Sequence, residues 1–151
     1  MSYRYLPDNL VLSIEVIDND HDRLFGLLDM LNMSIADRDV NGLHFILNDV
    51  ADYVRFHFSR EEAGLTACGY AALDGHLDEH ERLREQVRGL MDDLERNPAT
   101  FDEARLNEIQ AFFREWLDHH IAVVDMAYRD AMLASPEALE EMQKFSFAGD
   151  A

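Results

Sequence analysis

The sequence predicts an all-α protein, an up-down-up-down four-helix bundle with an N-terminal arm and a short C-terminal fifth helix. Apolar residues recur at helical spacing along almost the whole chain. Four of these periodic segments are long, and the short connections between them favour antiparallel neighbours. The 151 residues, 48% of them hydrophobic, predict a single domain, residues 1–151, with enough apolar side chains for a core.

The chain is predicted to begin with an extended arm, residues 1–17, whose apolar side chains pack as a loop rather than as a lone strand. Asp18, Asn19 and Asp20 then offer the side-chain oxygens that commonly cap helix N-termini. The first helix is accordingly predicted from about His21 to Asp37.

Helical periodicity predicts the next two helices on either side of a glycine-containing break. The second helix is predicted from Val40 or Gly42 to Glu62, and the segment Gly64–Gly69 is predicted to end it. The third helix is predicted over about Ala71–Glu95.

A turn over residues 97–100, which contains a proline, precedes the predicted fourth helix, Asp102–Leu133. Ser135 followed by Pro136 is typical of the start of a helix, and it begins the short C-terminal segment, residues 135–151. Its last residues, from Phe145 onwards, are predicted to be a frayed tail.

Composition excludes several classes of partner. The net charge is -18, from 31 acidic and 13 basic residues, so the surface repels phosphate backbones and anionic lipids. We therefore expect no nucleic-acid or membrane partner. Cys68 is the only cysteine, and the N-terminus has no apolar signal-peptide core, so we expect a cytoplasmic protein.

Histidine and carboxylate residues recur on the predicted helices at metal-ligand spacing. His57 and Glu61 form an HxxxE motif, and His76 and His80 form an HxxxH motif, so each pair lies on one helix face. Imidazole and carboxylate ligands without thiolate suit iron, zinc or manganese. The candidate metal ligands are His21, His57, Glu61, His76, His80, His120 and Asp125.

Burial explains why these residues predict a metal. Five histidines on apolar helix stripes would be costly in one core unless they were paired, and a metal satisfies them together. Asp125 lies five residues after His120, which is ~140° around an ideal helix, so its assignment depends on the resemblance described next and on a π-bulge near residues 120–125. His44 and His119 fall off the stripes and are predicted to be surface residues.

The order of these motifs resembles the hemerythrins, in particular the bacterial ones, over about residues 10–133. The matching segments are Ile17–His21, His57–Glu62, Gly69–Tyr70, His76–His80 and Trp116–Ile121, with Asp125 and Tyr128 downstream. The resemblance implies a non-haem di-iron centre with an oxo or hydroxo bridge that binds dioxygen reversibly. It implies that His76, His80 and His120 hold one iron, that His21 and His57 hold the other, and that Glu61 and Asp125 bridge them.

Ligand counting on this pattern leaves one open position. Two octahedral irons offer about twelve positions, and the histidines, carboxylates and bridging oxygen fill about eleven. The vacancy falls on the iron with two histidines, where dioxygen, or an anion such as azide in the oxidised form, is expected to bind. Two alternatives use the same site: a di-iron oxidase or peroxidase, and a protein that responds to nitric oxide or peroxide. Because histidines outnumber carboxylates, binding is favoured over enzymatic oxidation.

The chain departs from the hemerythrin pattern at four positions. Asp20 stands where a glutamine usually precedes the first histidine, and Gly64 and Ala71 replace a common leucine and proline. Ala122 stands where a larger apolar residue often shields the ligand pocket. This last difference predicts a roomier pocket and fast autoxidation.

Overall fold

A computed structural model, which describes residues 3–147, shows the predicted four-helix bundle. The long helices are α1, Glu15–Ala36; α2, Val40–Ala67; α3, Leu73–Arg96; and α4, Glu103–His119. A π-helical segment, His120–Asp125, a 3-10 turn, Met126–Tyr128, and a helical turn, Arg129–Leu133, continue α4, and α5, Pro136–Gln143, follows. Residues 3–147 contain no strand, and none of their helices is long and apolar enough to cross a membrane.

Leucine, isoleucine and phenylalanine side chains fill the space between the long helices. Helix α1 packs against α2 and α4, and α2 also packs against α3. Leu31, Leu47 and Leu65 are fully buried, and each such side chain contributes roughly 1.5–3 kcal/mol through the hydrophobic effect. This apolar core surrounds the polar cluster described below.

Helix α1 begins at Glu15, so the predicted start at His21 is wrong by six residues. Asp18 lies inside the first turns and accepts hydrogen bonds from the backbone N–H groups of Leu12 and Ser13, at 2.8 and 2.9 Å. Asp20 is buried and is likewise no cap. The predicted capping residues are therefore helical, and their carboxylates make tertiary contacts that periodicity does not reveal.

Helix α2 continues past its predicted end. It passes through Gly64 and ends at Ala67, before Gly69 takes the left-handed conformation with φ +64°. The N–H of Tyr70 then bonds to the carbonyl of Leu65 at 3.1 Å. Only the second glycine of the predicted break terminates the helix, because only there does the backbone need a positive φ.

The predicted π-bulge over residues 120–125 is confirmed. It turns Asp125 inwards, where its side chain is completely buried. The same segment places Ile121 in the core and leaves Ala122 exposed. The prediction that Ala122 enlarges a ligand pocket is therefore wrong, because this residue points away from the core.

Helix α5 packs along α2. The Ser135 hydroxyl accepts a hydrogen bond from the Ala138 N–H at 3.1 Å, which confirms the predicted cap. Ala138 and Met142 are fully buried. Residues 145–147 are not a frayed tail, since Phe147 packs against the core, whereas residues 148–151 lie outside the described part of the chain.

Candidate metal centre

All seven candidate ligands meet in the interior of the bundle, and each side chain is at most 3% exposed. Helix α1 supplies one, α2 and α3 supply two each, and the π-helical segment supplies the last two. These residues form two groups, and within each group all the ligand atoms lie within 4.8 Å of one another. The three-histidine half consists of Glu61, His76, His80 and His120, and the two-histidine half consists of His21, His57, Glu61 and Asp125.

Glu61 belongs to both halves and presents a different oxygen to each. Its Oε1 lies 3.0 Å from His80 Nε2, and its Oε2 lies 3.2 Å from His57 Nε2. The Tyr128 hydroxyl donates a hydrogen bond to Oε2 at 3.0 Å. Burial acts to raise the pKa of Glu61, but hydrogen bonds with His57, His76 and His80 hold that pKa well below its usual range. Glu61 is therefore ionised.

Asp125 spans the same two halves from the opposite side of the cluster. Its Oδ2 lies 3.1 Å from His21 Nε2, and its Oδ1 lies 3.0 Å from His120 Nε2 and 3.4 Å from His76 Nε2. The π-bulge makes this arrangement possible, because an uninterrupted α-helix would turn the carboxylate away from His120. Two carboxylates thus each place one oxygen in each half.

Several polar atoms of this cluster make no hydrogen bond within residues 3–147. Among them are the Nε2 atoms of His21 and His120 and both carboxylate oxygens of Asp125. A buried polar group without a partner costs about 1–3 kcal/mol. A cation between these nitrogen and oxygen atoms would satisfy them, and a donor set without sulfur suits iron, zinc or manganese. The residues present therefore fit a metal centre.

Residues 12–130 match the family model described as "Hemerythrin HHE cation binding domain". The chain belongs to the hemerythrin family. A bacteriohemerythrin of Methylococcus capsulatus is 30% identical over 118 residues, which cover 78% of this chain and 86% of that protein. A bacteriohemerythrin of Pseudomonas paraeruginosa is 27% identical over 139 residues, or 92% of this chain and 88% of that protein.

Solved structures show the same fold. A wild-type hemerythrin crystal structure is similar, with a TM-score of 0.72 and 25% sequence identity, over 87% of this chain and 97% of that one. The segment that matches the family model, residues 12–130, contains the four long helices. Helix α5 lies after the segment that matches the family model.

Two carboxylates outside the seven orient histidines of this hemerythrin centre. Asp20 Oδ2 lies 2.9 Å from His57 Nδ1, and Glu62 Oε2 lies 3.0 Å from His80 Nδ1. Contacts of this kind hold a ligand imidazole in one orientation and leave the other nitrogen free to bind a metal. The candidate set drawn from the sequence did not include these residues, although each is the immediate neighbour of a candidate ligand.

Aromatic rings cover the three-histidine half of the hemerythrin centre. Phe58 stacks on His80 with ring centroids 3.6 Å apart, and Trp116 stacks on His120 at 4.4 Å. Stacking thus adds a second constraint on histidines that already contact the carboxylates.

The other two histidines, His44 and His119, do not belong to the cluster. His119 is exposed as predicted, whereas His44 is half-buried.

Proposed function

We propose that this protein is a non-haem di-iron protein that binds dioxygen reversibly rather than an enzyme. One observation carries the proposal: Glu61 and Asp125 each present one oxygen to the three-histidine half and one to the two-histidine half. Bridging carboxylates between two histidine-rich positions suit a pair of ions. Family membership supports iron as the metal.

Each histidine has an assigned place in this proposal. His76, His80 and His120 would hold one iron, His21 and His57 the other, and the two carboxylates would bridge them with an oxo or hydroxo group. The seven side chains and the bridging oxygen would fill about eleven of roughly twelve octahedral positions and would leave one place on the two-histidine iron. A di-iron centre held by these residues would supply the electrons for reversible binding of dioxygen.

The core also has an apolar cavity beside the three-histidine half. An apolar cavity of about 40 Å³ lies in the core beside the stacked rings of Phe58 and Trp116. Its remaining lining is aliphatic or aromatic: Leu24, Leu28, Leu31, Val50, Val54, Leu83, Phe113 and Leu117. None of the seven candidate ligands lines this cavity, so it is separate from the place proposed for dioxygen on the two-histidine iron.

Tyr128 donates a hydrogen bond to one of the two proposed bridging carboxylates. Burial, together with the nearby charges of Glu61 and Asp125, raises the pKa of Tyr128 well above its usual value, so it remains a hydrogen-bond donor. Its hydroxyl donates to Glu61 Oε2, the oxygen that faces the two-histidine half. This contact helps to hold the carboxylate in the orientation in which it presents one oxygen to each half.

An anaerobic titration tests the proposed function. Metal-free protein reconstituted with Fe²⁺ should take up about two irons per chain, because seven ligands exceed the six positions of one octahedral ion. Admission of air should produce a visible absorption band that disappears when dioxygen is removed. Azide should bind the oxidised form. A single ion per chain, or spectra that never reverse while dioxygen or peroxide is turned over, would contradict reversible binding and favour the oxidase or peroxidase alternative.

Trp116 provides an independent optical test, since it is the only tryptophan in the chain and stacks on His120. Iron bound to His120 should quench most of the tryptophan emission, because the excited indole lies in contact with a ligand of a redox-active metal. The measurement is fluorescence during Fe²⁺ addition and subsequent chelation. Zn²⁺ is the control, since it has no redox chemistry and should quench far less. Equal brightness with and without iron would contradict the assignment of His120.

A further inference from the structure

The C-terminal segment, α5 with Phe145–Phe147, contacts residues that hold a metal-site histidine. It follows the part of the chain that matches the family model, residues 12–130. Its contacts converge on Asp20, the carboxylate behind His57. The contacts run through two residues of α2, Arg60 and Tyr53.

Both oxygens of Asp20 have partners. Oδ2 accepts from His57 Nδ1 at 2.9 Å and forms an ion pair with Arg60 Nε at 2.8 Å. Oδ1 accepts a hydrogen bond from the Tyr53 hydroxyl at 2.9 Å. All four side chains are buried. The orientation of the His57 ring therefore depends on where Arg60 and Tyr53 hold the carboxylate.

Each of these two partners also contacts the C-terminal segment. Arg60 donates a hydrogen bond from its terminal nitrogen to the Met142 carbonyl at 2.7 Å. The Tyr53 ring packs edge-on against Phe147 with centroids 5.0 Å apart. The Arg23 guanidinium lies over both of these rings, at 4.8 and 5.0 Å from their centroids. The segment thus contacts one partner of each Asp20 carboxylate oxygen: Arg60, which pairs with Oδ2, and Tyr53, which donates to Oδ1.

Gly64 allows α5 to approach α2 this closely. A Cβ atom at this position would lie 2.6 Å from Met142 Sδ and 2.9 Å from Met132 Cε, so a side chain there would displace the two methionines. A leucine is common at this position in hemerythrins. Here Gly64 replaces it, and the Met142 side chain occupies the space. The departure from the family pattern at residue 64 and the docking of α5 are therefore one structural feature.

We propose that the C-terminal segment positions His57 for metal binding through Arg60, Tyr53 and Asp20, and so sets the metal affinity of the two-histidine half. This inference rests on the proposed di-metal centre. Arg60, Tyr53 and Asp20 are positioning residues, because none of them belongs to either ligand group. The three-histidine half has support of its own, because Glu62 lies 3.0 Å from His80 Nδ1 and pairs with Arg84 at 2.9 Å.

A Co²⁺ titration of the metal-free chain separates the two halves, with His57→Ala identifying the step that belongs to the two-histidine half. Gly64→Leu should displace Met142, and Arg60→Leu should remove the link to Asp20. Both should weaken that step by about 10–100-fold, the usual effect of losing a contact that orients a metal ligand. The step of the three-histidine half should change little. Gly89→Leu is the matched control, because nothing lies within 4 Å of a Cβ at that exposed helical position.

Two further measurements distinguish positioning from general destabilisation. Arg60→Lys should restore much of the lost affinity, since it keeps the positive charge beside Asp20. In the Co²⁺ form, the shifted resonance of the His57 Nδ1 proton should exchange faster with solvent in Arg60→Leu than in the parent chain. If Gly64→Leu fails to fold, Arg60→Leu and Tyr53→Phe carry the test, because the latter removes only one hydroxyl.

The outcomes also separate this inference from the proposed function. A parent chain that binds two Co²⁺ ions, with Arg60→Leu binding both equally well, overturns the role of the C-terminal segment alone. Equal weakening of both steps overturns it too, because that result indicates loss of stability. A parent chain that takes up no second ion overturns the di-metal centre and this inference together.

Discussion

Glu61→Gln is expected to empty the proposed di-iron centre, with iron falling from about two per chain to near zero, because both proposed iron positions would lose the same carboxylate ligand. Glu61 presents Oε1 to His80 and Oε2 to His57, so a change of this one side chain alters both halves of the centre. The amide keeps the shape of the side chain but removes its charge and one of its acceptor oxygens. Metal analysis after reconstitution with Fe²⁺ measures the effect.

Two comparisons make this result specific. Glu115→Gln, the same substitution at an exposed position of α4, should leave the iron content unchanged. Chelation should lower the melting temperature of the parent chain by about 10 °C, since metal at a hundred to a thousand times its Kd adds roughly 3–4 kcal/mol of stability. The Glu61→Gln variant should show no such decrease. Retention of two irons by a folded Glu61→Gln chain would remove the bridging role.

His120→Ala is expected to lose the iron of the three-histidine half, whereas His119→Ala keeps both irons. The two residues are neighbours in the chain, but His120 is buried in the cluster and His119 is exposed. Removing the imidazole takes one ligand from the metal and leaves a cavity beside Trp116. The measurement is iron per chain together with tryptophan emission.

Added imidazole separates loss of the ligand from loss of the fold. It should enter the cavity in His120→Ala and restore much of the iron, because it replaces the missing donor. No restoration is expected in the Glu61→Gln chain, whose missing ligand is a carboxylate. If His119→Ala empties the centre while His120→Ala does not, His119 rather than His120 is the metal ligand.

Local sequence information was sufficient for most of the architecture. Helical periodicity predicted four long helices, and the Ser135–Pro136 pair predicted the start of α5. The HxxxE and HxxxH pairs each lie within two turns of one helix, so their shared face follows from the helical repeat alone. The bulge at Asp125 was predicted only because the family resemblance required that carboxylate on the face of His120.

Tertiary structure decided the features that depend on residues far apart in sequence. Aspartate commonly caps helices, but Asp18 and Asp20 are both buried in the folded chain. The Asp20 carboxylate holds His57, 37 residues away. A cap, a buried carboxylate and an exposed one share the same local sequence signals, and only their partners distinguish them.

The C-terminal segment shows the same division most clearly. Its sequence predicted a short helix and a tail, and both follow from local preferences for caps and chain ends. That Met142 would occupy the space above Gly64, and that its carbonyl would accept from Arg60, 82 residues away, depended on the packing of α5 along α2. The sequence by itself determined which residues are able to bind metal and which segments are helical. The tertiary structure decided which charged side chains contact and orient the candidate metal ligands, because burial and pairing are properties of the assembled core and not of any single segment.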